Sequence, residues 1–118
     1  MNEQTSEKGL AGERQALAYL RQHGMRPVCQ RYRCPYGEID LVMLDGECLV
    51  FVEVKLRSRG RKNDGVLAVN FQKQQRLIRA ARCYLGEYPT ELPVRFDIVE
   101  ITSEGVFHLP NAFEGSEW

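Results

Sequence analysis

Glu38-Ile39-Asp40 and Glu53-Val54-Lys55, with Asp45-Gly46 between them, supply residue types that can hold a hard cation and activate water. Carboxylate oxygens are the ligands that Mg²⁺ and Mn²⁺ prefer, and one or two suffice where waters and a phosphate complete the shell. A lysine two residues beyond a carboxylate on a strand shares its face, so Lys55 could hold an attacking water and offset charge developing on a phosphoryl group. Asp40 and Glu53 are thus the candidate ion ligands and Lys55 the candidate partner of the water.

The elements that must position these groups are two β-rich runs, 39–44 and 49–56, joined through Asp-Gly, a strong signal for a tight antiparallel hairpin. Alternation along the second run puts Glu53, Lys55 and Arg57 on one face and Val50, Val52, Val54 and Leu56 on the other. A two-residue loop at Asp45-Gly46 sets Glu38 opposite Glu53, with Asp40 on the diagonal. A four-residue loop, 45–48, sets Asp40 directly opposite Glu53. Either keeps Asp40, Glu53 and Lys55 on one face; a regular odd-length loop would separate them unless a bulge restored the parity.

Like charges facing each other across a strand pair are destabilising, so clustered carboxylates call for a compensating cation or a raised pKa. The bland alternative is a surface hairpin in which Lys55 pairs with Glu53 or Asp40. Leu49-Val50-Phe51-Val52 argues against it, being apolar on both faces like a buried central strand, with charge appearing only at its C-terminal end. Ligand sites favour such places, where a strand leaves the core.

Over most of its length the chain resembles the small YraN-type family of the PD-(D/E)XK nuclease superfamily. The resemblance is carried by Gly9-Leu-Ala-Gly12-Glu13 with Ala16 and Tyr19-Leu20, by Gly37-Glu38-Ile39-Asp40-Leu41, and by Val50-Phe51-Val52-Glu53-Val54-Lys55. It continues through Arg95-Phe96-Asp97 to Asn111-Ala112-Phe113. It implies a restriction-endonuclease-like α/β fold and a nuclease centre using Mg²⁺ or Mn²⁺. Ile39 stands where the superfamily's name has proline, a position that varies within it.

Resolvase-like members carry an acidic residue on the first helix that completes the metal site, which points to Glu13. Its placement at helical spacing within the stripe Leu10, Leu17 and Leu20 agrees; the alternative is that it flanks the stripe and pairs with a nearby arginine. Glu13 and Glu38 would orient ligands or serve a second ion, and Val54 could contribute its carbonyl. A glutamine on the second helix serves some members, making Gln74 a weaker candidate beside its structural reading.

Sixteen Lys or Arg and sixteen Asp or Glu cancel over 118 residues, so composition alone does not announce a polyanion partner. Distribution does: between Lys55 and Arg82 nine basic residues face one acid, Asp64. Arg57, Arg59, Arg61 and Lys62 form a basic loop after the candidate site, read otherwise as a solvated loop. Lys73 and Arg76, followed by Arg79 and Arg82, spread cations over a helix surface. Both groups are candidate nucleic-acid contacts, DNA above all.

The chain is long enough for one core and one domain, 1–118, without metal or disulfide staples. Cys29, Cys34, Cys48 and Cys83 fit no paired zinc spacing and read as reduced, packed thiols. The polar residues 1–8 carry no apolar signal core, and no run approaches the ~18 apolar residues of a membrane span. A cytoplasmic protein without membrane association is expected.

A first helix capped by Thr5 or Ser6 runs to about His23, with Gly9 and Gly12 implying a close packing contact. A strand at 28–33, the hairpin, and a second helix capped by Asn70 and striped by Leu77, Ile78, Ala81, Tyr84 and Leu85 follow. Strands at 93–101 and 106–109 and a frayed end, 114–118, complete the order α-β-β-β-α-β-β. A mixed sheet with helices over its faces buries that pattern. Asp97 is expected to pair with Arg95 or another strand.

Three functions compete: a Mg²⁺-dependent phosphodiesterase on DNA or structured nucleic acid, a non-catalytic nucleic-acid-binding module, and an accessory protein of a repair or uptake complex. Symmetric junction cleavage would require a homodimer, though no stripe in the sequence identifies a self-complementary surface.

Overall fold

The computed structural model describes residues 7–57 and 71–114. The expected helix caps Thr5, Ser6 and Asn70, the loop cations Arg59, Arg61 and Lys62, and the end at 115–118 lie outside them.

The elements run α1 (Glu7–Gln22), β1 (Arg26–Cys34), β2 (Gly37–Asp45), β3 (Cys48–Leu56), α2 (Phe71–Glu87), β4 (Val94–Thr102) and β5 (Gly105–Phe113), in the expected order. The strands form one sheet in chain order, β1-β2-β3-β4-β5. The β3–β4 pair is parallel because α2 carries the chain back across a face of the sheet; the other pairs are antiparallel.

A helix packs on each face. Ala16 and Leu20 of α1 meet Leu41, Met43, Val50, Val52, Val99 and Ile101. Ile78, Ala81 and Tyr84 of α2 meet Ile39, Val42, Phe51 and Phe96. The alternation expected of β3 holds: Val50 and Val52 go to the α1 core, Phe51 to the α2 core, so Glu53 and Lys55 emerge on the α2 side. The close contact expected of Gly12 is with Leu56, whose Cδ1 would lie 3.2 Å from an added Cβ.

The hairpin adopts the second of the two even-length registers, pairing Leu41 with Val52 through to Asp45 with Cys48. Its turn is Gly46-Glu47 instead of Asp45-Gly46. Of these two residues only Gly46 has positive φ, 62°, the pattern of a type II′ turn.

Candidate functional site at a fork between two strands

The β2–β3 ladder ends at Leu41–Val52, although both strands continue. Asp40 therefore does not face Glu53 as a ladder pair. Its carboxylate oxygen Oδ2 instead accepts the Val54 backbone N–H at 2.8 Å, in place of a main-chain acceptor on β2. Ile39 and Leu41, which simple alternation would put on one side, belong to opposite cores, so β2 rolls at Asp40. A strand residue's N–H and C=O project to the same edge, so the Val54 carbonyl is also directed into the fork.

The fork opens a cavity of about 240 Å³ lined by Gly37, Glu38, Asp40, Glu53, Lys73, Arg76 and Leu77. Three predicted carboxylates and two predicted nucleic-acid contacts thus share one space. Glu13 approaches from α1: its carboxyl feels the charges of Glu38 and Glu53, and Asp40 feels that of Glu13. Lys55 and Gln74 are half-buried nearby on β3 and α2, outside the cavity's lining. Arg57, also half-buried, continues β3 and donates its backbone N–H to Ile101 O at 2.8 Å.

Each carboxylate has its own counterpart. Glu13, 8% exposed, lies 3.3 Å from Arg31 Nε, and Glu38 lies 3.5 Å from Arg33 Nε. Glu53, 7% exposed, lies 3.0 Å from Lys73 Nζ. At these Nε atoms neither contact has hydrogen-bond geometry: Arg31 Nε and Glu38 Oε2 are buried without a hydrogen-bond partner. Arg31 is held at φ 51°, a left-handed conformation that disfavours a long side chain.

The crowding shows in the protonation equilibria. Burial, then the neighbouring charge of Glu53, pushes the Asp40 carboxyl well above its usual range, against the stabilising Val54 N–H. Burial likewise raises Glu13 despite Arg31. Lys55 is pulled below the usual ammonium range by burial and then by Lys73, with Glu53 opposing. Burial disfavours the Lys73 ammonium, yet attraction to Glu53 and Asp40 leaves it raised.

The donor chemistry fits a hard divalent cation: carboxylate oxygens, the Val54 carbonyl, and a buried Glu38 oxygen with no hydrogen-bond donor of its own. The arrangement is not drawn together around an ion. Among the described residues no three His, Cys, Asp or Glu side chains converge closely enough to hold one.

Sequence reasoning assigned Lys73 to phosphate contact and missed its pairing with Glu53, which nothing in helical periodicity reveals. The arginine that the sequence allowed as a partner of Glu13 is Arg31, whereas Arg33 as the cation facing Glu38 was missed. Glu100, fully buried on β4 at the register position of Lys55, escaped notice as well. The alternation Phe96, Ile98, Glu100 would have put it on a buried face. Asp97 serves structure, as expected: it pairs with Arg95 and accepts from His108 Nε2 at 2.7 Å and from the Asn111 N–H at 2.9 Å.

Fold and site together define a mixed α/β protein with a carboxylate-rich, lysine-bearing cavity where two central strands part. The chain belongs to the family described as Uncharacterised protein family UPF0102, whose model matches residues 12–101. A UPF0102 protein of Legionella pneumophila subsp. pneumophila is 40% identical over 114 residues, covering 93% of this chain and 97% of its own. One from Janthinobacterium sp. is 44% identical over 106 residues, covering 90% and 86%. A third, from Synechococcus sp., is 47% identical over 105 residues, covering 83% and 79%. No helix among the described residues is long and apolar enough to cross a membrane.

Proposed function

We propose that this protein is a divalent-metal-dependent nuclease that hydrolyses phosphodiester bonds in DNA or structured nucleic acid. The observation that carries the reading is the shared cavity of Glu38, Asp40, Glu53, Lys73 and Arg76 at the fork, with Lys55 two residues beyond Glu53 on the same face. A fork that ends the β2–β3 ladder and gathers buried carboxylates costs stability, which a binding role explains.

Asp40 and Glu53 would hold Mg²⁺ or Mn²⁺, with the Val54 carbonyl and Glu38 contributing and Glu13 fixing their orientation. The ion would supply Lewis-acid polarisation of a phosphoryl oxygen and a water acidic enough to attack near neutral pH. Lys55 orients that water and stabilises charge accumulating on the phosphorus oxygens. Arg76 reaches a phosphate at the cavity mouth, and Arg79 and Arg82 extend the cationic surface along α2. The test is a panel of labelled branched, duplex, single-stranded and RNA substrates with Mg²⁺ or Mn²⁺. Cleavage that vanishes in Lys55→Ala while the circular dichroism spectrum is kept supports the reading; undiminished cleavage in that variant removes the mechanism.

A second reading, a nucleic-acid-binding module without turnover, is favoured by one observation: Glu53 is already neutralised by Lys73 at 3.0 Å. It predicts salt-sensitive binding of the same panel and no product with either metal.

A further inference from the structure

Lys73 stands where electrostatics should not favour a lysine. It lies in the first turn of α2, a turn without any acidic residue, where the helix dipole prefers negative charge. A second ammonium, Lys55, is close enough to depress its own protonation. What holds Lys73 there is chiefly Glu53, its Oε2 at 3.0 Å, with a hydrogen bond to the Lys55 amine and attraction from Asp40 adding to it.

The other counter-ions are built differently. Arg31 and Arg33 belong to β1, flank Glu13 and Glu38, and do not line the cavity. Asp40 is held by a main-chain N–H that no rotamer change can withdraw. Among these groups Lys73 alone joins a flexible stem, a cavity-lining position and direct contact with a candidate ion ligand.

We propose that Lys73 is a resident counter-ion of the carboxylate cavity, competing with the divalent ion for Glu53 and yielding its place when the ion enters. This rests on the reading of the cavity as a metal centre. A divalent charge beside Asp40 and Glu53 removes the attraction that holds Lys73 and adds its own repulsion to that of the helix dipole. The displaced ammonium then turns, beside Arg76, to an incoming phosphate. Ion binding and presentation of a cation to the nucleic acid become one event, and the carboxylates are never left bare.

The experiment is titration of Mn²⁺ into the full chain, followed by electron paramagnetic resonance of the free ion, for the natural protein, Lys73→Met, Lys73→Gln and Lys73→Arg. Circular dichroism checks each fold; glutamine can still donate to Glu53 without charge, which guards against a methionine variant that fails to fold. The uncharged variants are expected to bind Mn²⁺ about tenfold tighter or more than the natural protein, with Lys73→Arg unchanged. Equal or weaker binding by folded uncharged variants overturns the proposal and leaves the metal centre standing. No Mn²⁺ uptake by any of the four overturns both.

Discussion

Asp40 Oδ2 accepts the Val54 backbone N–H at 2.8 Å, so one carboxylate tethers β2 to β3 just where their ladder has ended. The bond sets the position of Asp40 and satisfies a donor that the fork would otherwise orphan.

Asp40→Asn should separate stability from function. The amide oxygen can still accept from Val54, while the charge that burial and Glu53 disfavour is gone. A carboxyl with a raised folded pKa favours the fold below its ordinary value of 3.8, and that contribution is lost as pH rises through the folded value. At pH 7 the asparagine variant should therefore be more stable, on the order of 1 kcal/mol, and cleave nothing. Its advantage should shrink as pH falls through the folded value and be gone only below the ordinary 3.8, where Asp40 is protonated folded and unfolded. Urea titrations at pH 7 and pH 4 check this; a variant less stable at neutral pH would contradict the strained carboxylate.

Asp97 is the opposite case. It is 1% exposed, yet Arg95, His108 and the Asn111 N–H hold its carboxyl below the usual range against the burial that disfavours its charge. A depressed folded pKa contributes stability that is present above the ordinary value of 3.8 and is lost as pH falls through the folded one. Asp97→Ala should cost ~3 kcal/mol or more, since it strands the Asn111 main-chain N–H, takes the acceptor from His108 and leaves the partly buried Arg95 guanidinium with Asp45 alone. Asp97→Asn should show a flatter loss of melting temperature between pH 4 and pH 2 than the natural protein. Neither substitution touches the cavity, so cleavage by the fraction still folded should be normal.

These two aspartates mark what could be read from the chain. The order of elements, the inward face of α2 and the sides taken by Val52 and Glu53 follow from periodicity, which tertiary packing here reinforces. Asp97 was readable too, because its partner Arg95 lies two residues away on the same face. The fork was not: whether Asp40 pairs with Glu53 or captures Val54 depends on where a ladder stops, and a two-residue period carries no information on that. The turn left two registers open until Gly46 was found at the first central position. Lys73 reads as one of several helix cations free to meet a phosphate because periodicity within α2 is blind to a carboxylate on β3.

Gly12→Ala should be close to neutral. An added Cβ meets Leu56 Cδ1 at 3.2 Å and Ile101 Cδ1 at 3.8 Å, and Leu56 is 37% exposed, so its side chain can yield. That displacement offsets the ~1 kcal/mol that alanine gains over glycine within a helix. Gly12→Val adds branches against the same two side chains and should lose about 1–3 kcal/mol. Denaturant midpoints distinguish them: a destabilised alanine variant would mean that α1 and the end of β3 cannot part by even a few tenths of an ångström.

Arg76 lines the cavity, and Arg79, about one turn on, borders a shallow depression with Arg82 and Tyr36. If nucleic acid leaves the site along α2, Arg76→Ala and Arg79→Ala should each weaken binding of a duplex at every sequence. Each should also lower the slope of log affinity against log salt by about 0.9, the signature of a single phosphate that the protein no longer neutralises. Arg21→Ala is the control, an equally exposed arginine in the last turn of α1 on the other side of the sheet. Binding isotherms across a salt series decide the matter: Arg21→Ala should keep the natural slope, and if all three variants shift alike, the strand does not follow α2 and the cations there serve only solubility.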